Sequence, residues 1–315
     1  MLTFILRRIA ALIPLLFIVS IIVFGLILLV PGDAALTLAG GEDATPDRIQ
    51  MIREQLGLDR SFVSQYLTWL GNALHFDFGR SLYSNQTVVS EIWQRIPITL
   101  QIAGGAMVFG LLVGIPLGII SGIRPRSVAD RAVVIGTSAA IAIPSFWLAL
   151  ILILNLAVYR NILPSRGFVP FGESPYEWFR HLLLPWITLG VLTAATIARQ
   201  LRGALADVMS SDHIRTSKSV GLPPHKVVGK HGLKNASAPV LTVVGLQIAY
   251  LIGGTVIVEF IFGFAGLGTY VLTAVQRNDL PAIQGSVMLI AIMTVLVNLA
   301  VDIAYAFFNP KVRIE

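Results

Sequence analysis

The apolar positions of this chain fall in long runs, without the alternation of half-buried strands or the one-sided stripes of soluble helices. A bilayer core of about 30 Å needs roughly 20 apolar residues at about 1.5 Å each. Six segments reach or approach that length, at about 9–31, 98–123, 132–159, 183–205, 238–262 and 283–308. The pattern predicts an all-α membrane protein with six transmembrane helices. The first run follows Arg7-Arg8 but is too long for a signal-peptide core, and no small-x-small cleavage site follows it, so it reads as an anchor.

Two polar stretches between the runs have structure of their own. In 32–95, Thr45 can cap a helix that opens on Pro46 and Asp47. There Ile49, Ile52 and Leu56 share a face, and Gly57 can end the helix. A second amphipathic stretch carries Phe62, Trp69, Leu70 and Leu74, a content suited to the membrane interface. The segment reads either as a packed cap over the bundle or as a docking surface for an external solute-binding protein. In the other stretch, Asp207 to Asn235, Ser211 or Asp212 can cap a helix over His213 to Val220. That helix has about two turns, roughly 12 Å, too short to span. Gly221 stops it and Pro223-Pro224 prevents its resumption.

Composition fits a lipid solvent. Of the 315 residues, 55% are hydrophobic and 13% charged, against about 25% charged in a soluble domain. The net charge of +6 does not indicate nucleic acid, because the basic residues form no basic domain. Fourteen of the 23 Lys and Arg lie at the N-terminus, between runs two and three, from Arg199 at the inner end of run four to Lys234 before run five, and at the C-terminus. The other nine lie in the remaining connections, five of them in the long segment 32–95 where the bias means least. The distribution predicts both termini inside, 32–95 outside, and 207–235 in the cytoplasm.

No cysteine is present, which excludes disulfides and thiolate chemistry. No two of the five histidines are three or four apart, so no helical zinc motif exists and no metal site is expected. Gly229-Lys230 is followed by His231, with no glycine at the upstream position of a phosphate-binding loop. If ATP drives this protein, another chain binds it.

Within the spans, Gly110, Gly114, Gly118 and Gly122 recur every four residues and make a face that lets another helix approach closely. Pro116, Pro144 and Pro185 predict kinks in spans two, three and four. Ionisable groups are few: Glu259 near the outer end of span five, Asp302 in span six near Asn298 and Tyr305, and Arg199 and Arg202 in span four. Each is expected to face protein or water, as a structural ion pair, a snorkelling chain or a transport group. On the short loop helix, Thr216, Ser217 and Ser219 are small and Arg215 and Lys218 charged. That combination suits a lever seated in a partner's groove and suits a solvated basic loop equally.

The stretch from His213 to Leu222, followed by His231, Leu233, Asn235 and Pro239, resembles the cytoplasmic loop of binding-protein-dependent ABC permeases, closest to the dipeptide/oligopeptide/nickel branch. That motif reads Glu-Ala-Ala, three residues, then Gly. Here Arg215-Thr216-Ser217 and Gly221 hold those positions, and Arg for Glu is usual in the branch. The resemblance runs along the chain through Arg7-Arg8, Val30 to Asp33, Gly57 to Asp59, Tyr66 to Trp69, Asp77 to Ser81, Arg95 to Leu100, Ile143 to Trp147, Leu184-Pro185, Glu259 with Gly266 to Gly268, and Asn309 to Lys311. Departures are Ala34 and Ala265 where prolines are usual, and Ser217 where Ala is common.

The resemblance implies a permease subunit of the bacterial inner (plasma) membrane, of the branch's B type, forming half of a translocation pathway. Implied partners are a second homologous permease, two ATPase subunits holding ATP and Mg, an extracytoplasmic solute-binding protein and membrane lipid, with no nucleic acid. Arg215, Thr216, Ser217, Lys218, Gly221 and Leu222 would couple to the ATPase, and the chain itself would catalyse nothing. Its parts are 1–31, the N-terminal tip and first span; 32–95, the outer segment; 96–308, the five-span permease core; and 309–315, the tail. Peptides are the commonest cargo of the branch, with nickel chelates, glutathione and oligosaccharides as others. Two other classes stand against this one. A proton-coupled carrier acting alone would need a carboxylate such as Asp302, and an intramembrane enzyme would need a nucleophile–base or metal constellation.

Overall fold

The computed structural model describes residues 2–26, 45–55 and 59–308, with the side chains at 2–6, 48, 49, 52, 53, 55, 302 and 304–308 outside the description. Val30 to Asp33, Leu56 to Leu58 and Asn309 to Lys311 therefore lie outside the described residues, as do the side chains of Ile49, Ile52, Asp302 and Tyr305.

Among the described residues the chain is helical. In order these are α1 Leu2–Gly25, α2 Pro46–Gln55, α3 Phe62–Leu74, α4 Val88–Ile123, α5 Val128–Ala142 and α6 Ser145–Leu152, which continues as a π-helical stretch Ile153–Tyr159. Then come α7 Pro175–Ser210 and α8 Asp212–Ser219. One turn at Pro224–Lys226 and a π-helical Val227–Leu233 lead into α9 Lys234–Phe262, followed by α10 Leu267–Gln276 and α11 Leu280–Phe308. The described residues contain no strand, only an isolated antiparallel bridge between Arg80 and Thr87.

Among the described residues five helices are long and apolar enough to cross a membrane: α1, α4, α7, α9 (with its lead-in) and α11. A sixth crossing exists if α5 and α6 with its extension are one span, and that pair is bent by 99°. The sequence predicts a kink at Pro144, and the structure has a full break there. Ile143 precedes the proline and is extended, with φ −80 and ψ 121, and helix resumes after Pro144. A residue before proline is pushed out of the helical region by the ring. Pro116 and Pro185, by contrast, sit inside continuous helices.

Helix ends follow local chemistry. Ser174 caps α7, accepting from the Glu177 N–H at 3.3 Å, with Pro175 next. Ser127 caps α5, accepting from the Asp130 N–H at 3.1 Å. Ser61 caps α3, accepting from the Ser64 N–H at 3.4 Å.

The chain divides into two compact units. One comprises Met1–Leu6, Pro97–Thr269 and Thr294–Glu315. Its apolar core is built on α7, which packs against α5, α6 and α9. Ile102, Ala106, Leu184, Ile197, Leu251 and Phe262 are among its buried members. The glycine series of α4 faces α7: a Cβ on Gly110 would meet Thr193, on Gly114 Ala194 and Ile197, on Gly118 Leu201, and on Gly122 Leu205. The absent side chains let the two backbones approach.

The other unit comprises Arg7–Ile96 and Tyr270–Met293. Phe24 of α1 packs with Phe62, Tyr66 and Trp69 of α3, and Trp69 packs with Phe78. The Ser20 and Tyr66 hydroxyls are hydrogen-bonded at 2.8 Å. Tyr66 and Trp69 of α3 are therefore packed on protein within this unit, while Leu74 is exposed.

Candidate functional site

The loop between α7 and α9 contains α8, which starts at Asp212, one residue before the predicted position, and ends at Ser219. Ser211 stands at the N-cap, but its hydroxyl donates to the Val208 carbonyl at 2.5 Å and meets His213 Nδ1 at 2.9 Å, so it caps nothing. The Arg215 N–H instead donates to the Ser211 carbonyl at 3.2 Å.

The C-terminal end is closed firmly. Gly221 is left-handed, with φ 79. Its N–H donates to the Lys218 carbonyl at 3.0 Å, and the Leu222 N–H donates to the Ser217 carbonyl at 3.3 Å. These paired bonds are a Schellman termination. No heavy atom lies within 4 Å of where a Gly221 Cβ would stand, so conformation alone selects glycine.

Ile214 is fully buried and seats α8 against the end of α7 and the π-helical stretch Val227–Leu233. Ser217, one turn on, is half-buried on the same side. Arg215, Thr216, Lys218, Ser219, Val220, Gly221 and Leu222 are exposed. The hydroxyls of Thr216, Ser217 and Ser219 donate to the carbonyls of Asp212, His213 and Thr216. Bonded back to their own helix, they leave a short, largely apolar face between two cations. Arg215 pairs with Asp212 at 3.3 Å, an exposed contact of little energetic weight. Ile214 and Val220 escaped the sequence reading, because an apolar residue in a two-turn helix carries no periodic signal.

About two turns before the end of α7, Arg202 donates through Nε and Nη2 to Asp130 Oδ1 and Oδ2 at 2.5 and 2.8 Å. The same carboxylate accepts from the Ser121 hydroxyl and from the Arg126 N–H at 2.7 Å. Four donors satisfy this buried carboxylate, as burial of a charge requires. The cluster ties α4, α5 and α7 at one end. Asp130 was not among the predicted residues, since Ser127-x-x-Asp130 reads as an ordinary acidic helix start.

Glu259 is also fully buried. Its Oε1 accepts from the Thr99 hydroxyl at 2.6 Å and its Oε2 from the Thr269 N–H at 3.0 Å. Thr99 in turn accepts from the Leu267 N–H at 2.9 Å. The carboxylate thus sits at the start of α10, where free N–H groups and the helix dipole favour an anion. Gly266 and Gly268 lie against it with no room for a Cβ. Arg199 is exposed on α7. A cleft of about 370 Å³ between α4, α5 and α7, lined by Phe109, Val113, Leu117, Val133, Thr137 and Val191 among others, holds no titratable side chain. Among the described residues no three His, Asp or Glu gather as a metal site would need.

Residues 114–314 match the model of the binding-protein-dependent transport system inner membrane component, and residues 1–103 match the N-terminal model of the same system's membrane component. The chain belongs to this family. The permease is similar to a putative peptide transport system permease protein of Brucella abortus (strain 2308), 38% identical over 311 residues and 99% of each chain. It is also similar to the dipeptide transport system permease protein DppB of Escherichia coli (strain K12), 34% identical over 336 residues and 99% of each. Among solved structures the fold is similar to the MetNI methionine ABC transporter in inward facing conformations. That match has a TM-score of 0.55 and 21% identity, over 70% of this chain and 96% of that one. The permease is accordingly a multi-pass inner-membrane subunit of a bacterial ABC importer.

Proposed function

We propose that this permease takes up peptides as one of two homologous membrane subunits, coupled through α8 to separate ATPase subunits and supplied by an extracytoplasmic solute-binding protein. The peptide reading is supported by the relatives, which are described as peptide or dipeptide permeases. Both termini and α8 are cytoplasmic and 32–95 lies outside, in keeping with the fourteen-to-nine distribution of Lys and Arg. ATP and Mg are held by two ATPase partners, and the chain contributes no catalytic group. Its parts are the first span, the outer segment 32–95, the five-span core 96–308 and a short tail. The family favours this over a carrier acting alone.

The observation that carries the proposal is the construction of α8. Ile214 seats it, the Gly221 termination fixes its end, and Arg215, Thr216, Lys218, Val220 and Leu222 face outward. Ligand-driven contacts shift a conformational equilibrium only when they differ between its states. A rigid helix carried by α7 provides such a difference when the ATPases close. Arg202–Asp130 then passes the displacement from α7 to α4 and α5, while the glycines of α4 keep its packing on α7 close.

The chain has no cysteine, so Lys218→Cys introduces a single thiol. In the assembled importer this thiol is expected to cross-link to an ATPase subunit, to an extent that changes with nucleotide. Absence of any such cross-link in a complex that binds and hydrolyses ATP would count against the docking of α8.

A further inference from the structure

Asp279 is 3% exposed and lies just before α11. Its Oδ2 accepts from the Ser81 hydroxyl at 2.5 Å, and its Oδ1 from the N–H of Leu82 at 3.1 Å and of Ala282 at 3.4 Å. Ser81 Oγ also accepts from the N–H groups of Tyr83 and Ser84 at 3.2 and 3.1 Å. The Arg80–Thr87 bridge closes the turn. One buried carboxylate therefore fixes the 81–86 turn to the start of the last helix, across about 200 residues of chain.

This frame presents Tyr83 and Arg277. The Arg277 guanidinium lies over the Tyr83 ring, 3.7 Å from its centroid. Tyr83 is 67% exposed and Arg277 exposed. Asp279, two residues from Arg277, is occupied by neutral donors, and among the described residues Arg277 forms no ion pair. A guanidinium stacked by its face keeps its N–H edge open, the geometry that grips a carboxylate with two parallel bonds. Tyr and Arg dominate interface hot spots, and a pair already ordered loses little on binding. Ser84, Asn85, Gln86 and Asn278 around the pair are polar and exposed.

We propose that Tyr83 and Arg277 form a docking point for a surface carboxylate of the solute-binding protein. This rests on the outward placement of 32–95 proposed above. The test uses the complete importer in nanodiscs of neutral lipid, titrated with its separately purified, solute-loaded binding protein, with ATP hydrolysis as readout. Arg277→Glu and Tyr83→Ala are expected to raise the half-saturating concentration of binding protein about tenfold, with unstimulated and maximal rates unchanged. Arg277→Gln, which alters one exposed side chain, should show a smaller shift in the same direction. Unchanged half-saturation in all three variants would overturn the docking point alone. A shift seen only when anionic lipid is added would assign the pair to a lipid headgroup and also overturn it. A wild-type importer that binding protein does not stimulate would overturn the importer reading and this proposal with it.

Discussion

Arg202 and Asp130 stand 72 residues apart in sequence and meet edge to edge, two guanidinium nitrogens on two carboxylate oxygens at 2.5 and 2.8 Å. The Asp130 side chain is 3% exposed and that of Arg202 34%. Removing Arg202 strands the buried Asp130 carboxylate, at a cost of about 3 kcal/mol. Arg202→Ala is expected to lower stability by that order in chemical unfolding of the detergent-solubilised chain, and Asp130→Asn, which leaves a guanidinium one-third exposed, by less. Arg202→Lys should rescue little, since an ammonium cannot reproduce the fork. The paired change Asp130→Leu with Arg202→Met should cost less than Arg202→Ala. Equal stability of Arg202→Lys and the wild type would show that the bidentate geometry carries no weight.

The glycines of α4 divide by what faces them. A Cβ at Gly114 would stand 2.6 Å from the Ala194 carbonyl oxygen, a backbone atom that cannot turn aside. Gly114→Ala is expected to destabilise by about 1–3 kcal/mol through forced separation of α4 and α7. Gly104 lies on the same helix with no atom within 4 Å of its missing Cβ. Gly104→Ala should be neutral or stabilising by up to about 1 kcal/mol, the ordinary preference of a helix for alanine. The same unfolding assay on both variants decides it, and equal effects would contradict the packing account.

Thr99 is the donor that satisfies Glu259 Oε1. Thr99→Val keeps the shape and removes the hydroxyl, leaving that oxygen and the Leu267 N–H without their partner. A loss of about 1–3 kcal/mol is expected. Thr99→Ser, which restores the hydroxyl, should recover most of it. Hydrogen exchange at the start of α10 should rise in the valine variant, and unchanged exchange there would argue against the capping role.

Tyr270 is pushed up to about 12 from the usual 10.0, chiefly by burial and further by Glu91 and Asp279, with Arg95 acting the other way. The folded state holds this proton more tightly than the unfolded state does. The stability it confers is complete below about pH 10 and is lost as pH rises toward 12. Among the described residues its hydroxyl has no hydrogen-bond partner, so Tyr270→Phe should cost nothing at neutral pH. The variant should also lose less stability than wild type between pH 10 and 12 in thermal unfolding. An equal alkaline loss in both would point to another group.

Elements with a local cause were legible in the sequence. Gly110, Gly114, Gly118 and Gly122 announce a close helix contact by spacing alone, though which helix they meet is a tertiary fact. Gly221 followed by Pro223-Pro224 announces the end of α8, since left-handed backbone there has little alternative to glycine. The Ile143-Pro144 break was underestimated, because a proline in a span reads as a kink unless neighbouring packing shows that the helix restarts. The Arg202–Asp130 cluster was half legible. Arg202 drew attention as an intramembrane charge, whereas Asp130 sat at a helix start where acids are common. The Asp279–Ser81 bond was not legible, because about 200 residues separate its partners and Asp279 belongs to no local pattern.

The central claim is that α8 transmits ATP-driven motion to the bundle, and Gly221 tests it most directly. The site has room for a side chain but holds φ at 79. Gly221→Val is therefore disfavoured by conformation alone, by about 1–2 kcal/mol or more, while Gly221→Asn tolerates it. The decisive measurement is peptide uptake per ATP hydrolysed in proteoliposomes containing the complete importer. The account predicts that the valine variant assembles and hydrolyses ATP but transports far less peptide per ATP, with the asparagine variant near wild type. Wild-type uptake per ATP in Gly221→Val would contradict it.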